Sequence, residues 1–203
     1  MIQGSSEWFA ERLGKVTASK IADMTAKTKT GWGATRANYA AQLIAERLTG
    51  QAVESFSNAA MQWGVNTEAQ ARAAYVFMTD IPVAEVAFVN HPTISMSGAS
   101  PDGLAGNDGL VEIKCPNTAT HLDTLLGAEI DGKYIKQMQW QMACTGRPWC
   151  DFVSFDPRLP VELQMKIRRV ERDQPLIDAL EKDVSEFLAE IEGKINKLKQ
   201  LIA

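Results

Sequence analysis

The sequence predicts an α/β or α+β domain with a central mixed sheet flanked by helices and a long C-terminal helix. Three observations carry that reading. Helical patterns fill Thr35 to Met78, strand-like runs cluster between Pro82 and Lys114, and a further helix, two strands and a long amphipathic tail follow. At 203 residues the chain is long enough to bury one substantial core, and no linker or repeat divides it. We therefore read residues 1–203 as one domain, with a leading segment of about residues 1–35, a core of about 36–175 and a closing helix over about 175–202.

Each element has a local reason. "TRANYAAQLIAERLT", Thr35–Thr49, is rich in Ala and Leu, Thr35 is placed to cap its start, and Gly50 stands where a helix ends. A second helix runs from Asn58 to Met78, with Trp63, Ala71, Ala74 and Tyr75 near one face and Glu68 and Arg72 paired at i, i+4 on another. Gly64 inside it marks either a weaker helix or a close backbone approach. Strands follow at Pro82–Asn90, Thr93–Ser97 and Leu110–Lys114, and "AGNDG", Ala105–Gly109, has the residues of a hairpin turn.

Lys133–Thr145 reads as a helix stopped by Gly146 and Pro148, and "CDFVSFDP" and "ELQMKIRRVER" read as two more strands. In the tail, Pro175–Ile202, Ile177, Val184, Ile191 and Leu198 recur every seven residues beside Leu180, Phe187 and Leu188. Packing of this stripe against the domain is preferred over a coiled coil.

Composition excludes several classes. No apolar run reaches the length of a bilayer span, and "MIQGSSEWFAERLG" lacks the apolar core of a signal peptide, so a cytoplasmic location is expected. Cys115, Cys144 and Cys150 are odd in number and lack CxxC spacing, which argues for buried free thiols over disulfides, thiolate zinc or an iron–sulfur cluster. The net charge of −4 is unevenly spread. Arg12, Lys15, Lys20, Lys27, Lys29 and Arg36 face one acid, Asp23, whereas Gln51 to Ile113 holds seven acids against Arg72 alone. The two segments could form a phosphate grip and a metal cage, or be solvated faces that differ by chance.

The densest chemistry lies in "SGASPDGLAGNDGLVEIKCP", Ser97–Pro116. Strand alternation puts Leu110, Glu112 and Lys114 on one face, with Glu112 and Lys114 roughly 7 Å apart, and turns Val111 and Ile113 to the other. Asp102, across the turn, can reach the same face. Two carboxylates and the Ile113 backbone carbonyl suit Mg2+, which takes hard oxygen ligands and completes its shell with water and phosphate oxygens; Mn2+ should substitute. Lys114 could steady an attacking hydroxide or offset transition-state charge. From spacing alone a charged hairpin without chemistry remains the simpler reading.

"SPDGL", then "EIK" and "CP", resemble the D-x(n)-E-x-K core of the PD-(D/E)XK nucleases, in the form found in the phage lambda exonuclease and YqaJ-like viral recombinase family. Trp8–Ser19 ("WFAERLGKVTAS"), Trp63–Arg72 ("WGVNTEAQAR"), Gln137–Gly146 ("QMQWQMACTG") and the closing "FDPR…VERD" agree in order, covering roughly residues 5–175. The resemblance implies a PD-(D/E)XK restriction-endonuclease-like core with Asp102 and Glu112 as metal ligands, Lys114 as catalytic lysine, Glu68 as an accessory ligand and Gln137 beside the site. It implies that Arg12 and Ser19 hold the 5′-terminal phosphate, which makes residues 1–35 the phosphate-binding segment.

Related nucleases carry Q-x-x-x-Y after the core; here the last position is Gln141, and Gln139 and Gln141 are read as helix-face polar residues. Trp32 could stack on a base, although core packing is preferred.

The implied activity is a Mg2+-dependent 5′→3′ exonuclease on linear duplex DNA, phage or prophage encoded and acting in a bacterial cytoplasm. It would release 5′ mononucleotides and leave a 3′ strand for a single-strand annealing protein, and the family implies a toroidal homotrimer. The alternatives are a structure- or sequence-specific endonuclease on the same fold, and a non-catalytic DNA-end-binding module.

Overall fold

The computed structural model describes residues 3–29, 31–53 and 59–202. In chain order the elements are α1 (Ser6–Arg12), β1 (Val16–Thr17), α2 (Ile21–Met24), β2 (Lys27–Thr28), β3 (Gly31–Trp32), α3 (Ala34–Thr49), α4 (Ala59–Thr79), β4 (Val83–Ala84), β5 (Val89–Asn90), β6 (Ser97–Ala99), β7 (Gly103–Ala105) and β8 (Gly109–Lys114). They continue with α5 (Thr118–Leu125), α6 (Gly132–Thr145), β9 (Trp149–Phe155), β10 (Met165–Glu171) and α7 (Gln174–Lys199).

The main sheet has the order β10-β9-β8-β7-β4. Only β8 and β9 in it run parallel, because α5 and α6 intervene as a crossover, whereas β7–β8 and β9–β10 are antiparallel. A smaller sheet, β1-β6-β5, joins the leading segment to the centre of the chain by a parallel β1–β6 pair. Its register sets Val16 against Ser97 and Thr17 against Gly98. From β6 the chain runs through Ser100–Asp102 into β7, so those residues sit on the seam between the two sheets.

Helices cover both faces of β8. Val111 and Ile113 pack with Ala71 and Tyr75 of α4, while Leu110 packs with Met138 and Met142 of α6. A third cluster joins α2, α3 and α6 to the tail: Ile177, Leu180, Val184, Phe187, Ile191 and Ile195 of α7 are buried, which bears out packing of the tail against the domain. Asp173 caps α7 by accepting from the Leu176 backbone N–H, and Gly50 and Gly146 end α3 and α6 with left-handed backbones, as expected. Among the described residues no helix is long and apolar enough to cross a membrane.

Several expectations are corrected. Thr35 does not cap α3; Gly33 holds that position, and the Thr35 hydroxyl donates to the Asp23 carbonyl at 3.4 Å. The expected start of α4 at Asn58 lies outside the described residues. Pro82–Asn90 is not one strand but two short ones in different sheets, β4 and β5, and the strand expected at Thr93–Ser97 begins only at Ser97. Three helices go beyond the sequence expectation, α1 capped by Ser5, the single-turn α2, and α5 capped by Asn117. Trp32 is not core: it is 42% exposed on the β2–β3 hairpin, with Arg36 and Lys27 over its ring at 4.0 and 4.7 Å. Arg36 is itself buried, tied to Glu190 at 2.7 Å and to the Met24 carbonyl, and so leaves the basic face. The thiols of Cys144 and Cys150 are buried and free as expected, while Cys115 is half-buried.

Gly98 shows why β6 has its sequence: a Cβ there would lie 2.5 Å from both the Phe88 ring and the Val89 carbonyl oxygen. Gly98→Ala should therefore cost about 1–3 kcal/mol by overpacking. Among the described residues a methyl group added at Gly64, in α4, would meet nothing within 4 Å, so no close approach to them accounts for this glycine. Gly64→Ala should stabilise by about 0.5–1 kcal/mol. Thermal denaturation of both variants checks the opposite signs.

Candidate active site

The β7–β8 ladder closes at the Gly103–Val111 pair, before it reaches Ile113. Asp102 extends it with a side chain: its Oδ2 accepts from the Ile113 backbone N–H at 2.6 Å. In a strand the N–H and C=O of one residue point the same way, so the Ile113 carbonyl is directed to the Asp102 side. Glu112, next along the strand, faces α6. It is fully buried, and accepts from Gln137 Nε2 at 2.7 Å on Oε1 and from Gln141 Nε2 at 2.6 Å on Oε2. Lys114, on the same strand face, forms an ion pair with Glu112 Oε1.

Gln139 and Gln141 are thus not helix-face polar residues. Gln139 is buried, donating to the Glu171 carbonyl and accepting from Asp173 N–H, which clamps α6 to the start of α7. Gln141, at the position where related nucleases carry tyrosine, binds the buried carboxylate directly.

The electrostatics are those of crowded carboxylates. Burial, and then the charges of Glu112 and Glu68, push the Asp102 carboxyl well above its ordinary range, with Lys114 opposing them. Burial alone would lower Lys114, but the charges of Glu112 and Asp102 outweigh it and hold the ammonium above its usual value. Glu68 is raised by burial in spite of its 2.6 Å ion pair with Arg72. The Cys115 thiol beside the site is pushed up to about 12, chiefly by burial, so it supplies no thiolate.

The leading segment meets this cluster across the β1–β6 pair. Trp8 Nε1 donates to Ser100 Oγ at 2.9 Å, Arg12 Nη1 donates to the same oxygen at 3.0 Å, and the guanidinium lies 4.1 Å over the Trp8 ring. A single cavity is lined by Arg12, Ser19 and Ser100 together with Asp102, Glu112, Lys114 and Gln137. All of these except Ser100 are residues expected from sequence, and the fold brings them together. Glu68 stands outside the cavity, pinned by Arg72, which also donates to the Asp102 carbonyl. Sequence reading misses Ser100, although its place two residues before Asp102 in "SPDG" is an available signal.

The donor set fits a divalent cation of the Mg2+ type. Among the described residues no three His, Cys, Asp or Glu side chains form a ready cage. Asp102 and Glu112, which line the cavity, and the Ile113 carbonyl nevertheless offer hard oxygens, the sparse protein shell that Mg2+ favours. The mutual repulsion of Asp102 and Glu112 is the charge such an ion would neutralise.

A family model described as a YqaJ-like viral recombinase domain matches residues 7–148. The crystal structure of an alkaline exonuclease (LHK-Exo) from Laribacter hongkongensis has a TM-score of 0.91 at 54% identity, over 98% of this chain and 98% of that one. The same exonuclease in complex with dAMP matches at 55% identity with the same TM-score and coverage. A phage related exonuclease from Haemophilus somnus 129PT shares the fold, with a TM-score of 0.69 at 16% identity over 91% of this chain and 96% of that one. No curated protein matches the chain in sequence. The fold is of the PD-(D/E)XK type.

Because Asp102 and Glu112 repel each other, Asp102→Asn should stabilise the metal-free protein by roughly 1 kcal/mol, about 2–4 °C in Tm, while keeping an acceptor for Ile113 N–H. Melting in EDTA tests this; a lower Tm than the parent's would contradict it.

Proposed function

The chain belongs to the YqaJ-like viral recombinase family, and we propose that it is a Mg2+-dependent 5′→3′ exonuclease on linear double-stranded DNA, releasing 5′ mononucleotides and leaving a 3′ single strand. One observation carries the reading: Arg12, Ser19 and Ser100 share one cavity with the Asp102, Glu112 and Lys114 cluster. Ser100, which accepts from Arg12, lies two residues before Asp102 in the chain, and both line that cavity. In this reading a terminal phosphate held by Arg12 and Ser100 leaves the next phosphate at Asp102 and Glu112 in the same cavity, which favours single-nucleotide steps.

Arg12 supplies the planar charged fork for the terminal phosphate, held in place by the Trp8 ring beneath it, and Ser19 and Ser100 add neutral hydroxyls. Asp102, Glu112 and the Ile113 carbonyl would hold Mg2+ or Mn2+, with Glu68 as accessory. When bound, such an ion polarises the phosphoryl group and lowers the pKa of its water. Gln137 and Gln141 fix the orientation of Glu112. Lys114 orients the attacking water and offsets negative charge that builds on the phosphoryl oxygens.

The bond broken runs from phosphorus to the 3′ oxygen of the terminal nucleotide, and the strand left behind carries a new 5′-phosphate. That group can take the Arg12 position for the next cycle. In the same reading the whole chain acts as one nuclease domain, works as a homotrimer around DNA, and hands its 3′ strand to a single-strand annealing protein.

Digestion of a linear duplex with a 5′-phosphate, in Mg2+ and in EDTA, tests the proposal. Mononucleotides should appear only with metal, whereas internal fragments or loss from the 3′ end would refute it. Lys114→Ala should abolish cleavage and leave end binding largely intact, as measured by gel shift. Arg12→Ala should erase the preference for 5′-phosphate over 5′-hydroxyl ends; an unchanged ratio of rates would remove it from the grip.

A further inference from the structure

The strand being cut has to continue beyond Lys114, and its course is constrained. Toward α4, Arg72 is engaged by Glu68 and Glu85 and donates to the Asp102 carbonyl, so that side presents carboxylates. On the α6 side a second cavity, of about 250 Å³, opens between the ends of β8 and β9, α5 and the start of α6. Lys114 lines both this cavity and the catalytic one.

The walls differ in character from the phosphate grip. Tyr134 and Phe152 present rings whose centroids are 5.7 Å apart, and Asp123, Glu129 and Asp131 add carboxylates. Such carboxylates repel phosphate but accept N–H and O–H donors, and aromatic walls suit a flat base. Two cations also line it: Lys114 and Lys133 lie 5.0 and 4.8 Å from the same Tyr134 ring. Lys133 is engaged by a half-exposed pair with Asp131 at 3.2 Å, weak enough to exchange for a phosphate.

We propose that this cavity is the subsite for the nucleoside on the 3′ side of the scissile phosphate. Its base and sugar enter against Tyr134 and Phe152, between the scissile phosphate at Lys114 and the following phosphate at Lys133. The proposal rests on the nuclease reading and extends it: turnover depends on the second nucleotide as well as on the first.

Steady-state cleavage of 5′-phosphorylated duplexes, intact or with a tetrahydrofuran abasic residue at nucleotide one or two, tests it. The abasic residue at position two should raise the KM of the parent about tenfold. Tyr134→Ala should raise KM on intact duplex by a similar factor and be indifferent to the abasic residue at position two, while Tyr134→Phe should keep that sensitivity. If the abasic effect persists in full in Tyr134→Ala, the subsite is overturned.

A second pair guards against misfolding of that variant. A methylphosphonate after nucleotide two should raise the parent's KM but not that of Lys133→Ala, and equal effects in both overturn the proposal. A parent that cuts no intact duplex overturns the nuclease reading itself, whereas cutting without either coupling overturns the subsite alone.

Discussion

Glu112 is a carboxylate with no solvent contact in the middle of the sheet, and the rest of the structure is arranged to make that tolerable. Removing a carboxylate from water costs several kcal/mol even after relaxation. Charge-assisted bonds from Gln137 and Gln141 and the ion pair with Lys114 offset the loss. Two of those donors belong to α6, so the helix has to lie over β8 in one register. The crossover that makes β8 and β9 parallel brings it there, the Asp131 cap starts it, and Gln139 locks it to the start of α7. A partly satisfied network would be worse than an apolar core. Gln137 and Gln141, one helical turn apart, therefore both turn to Glu112, while Gln139 between them serves the other side of the helix.

The second constraint is the seam between the sheets. A two-residue parallel pair, β1 with β6, carries Arg12 and Ser19 to the side of Ser100 and Asp102. Glycine at position 98 lets β5 and β6 approach closely enough for this. The uneven charge then acquires a spatial meaning that its sum hides. Arg12 reaches the cavity, Lys15 and Lys20 are engaged by Glu11 and Asp23, and Arg36 is spent inside the helical cluster. At the cavity the charges balance, with Arg12 and Lys114 against Asp102 and Glu112.

Long elements with clear periodicity are legible: α3, α6, α7, β8 and β9 lie where hydrophobic spacing and glycine stops put them. Strands of two or three residues carry no period, so β1, β4, β5 and β6 cannot be drawn from pattern alone. The helices α1 and α5 are short, but Ser5 and Asn117 are cap signals that the periodicity reading passes over. Gln141 is misjudged because a polar residue on a helix looks like a surface residue until its covering is known. Trp32 is misjudged in the opposite sense, since a large ring looks like core until its neighbours turn out to be cations at the surface.

By itself the sequence determined the fold class and the family, because hydrophobic periodicity and a set of motifs in fixed order are properties of the chain alone. It could not determine that Glu112 is buried beneath α6, that Asp102 extends the ladder to Ile113, or that Ser100 joins Arg12 to the carboxylates. Those facts depend on contacts between segments roughly 10 to 90 residues apart. Such contacts exist only once the crossover and the sheet seam have closed.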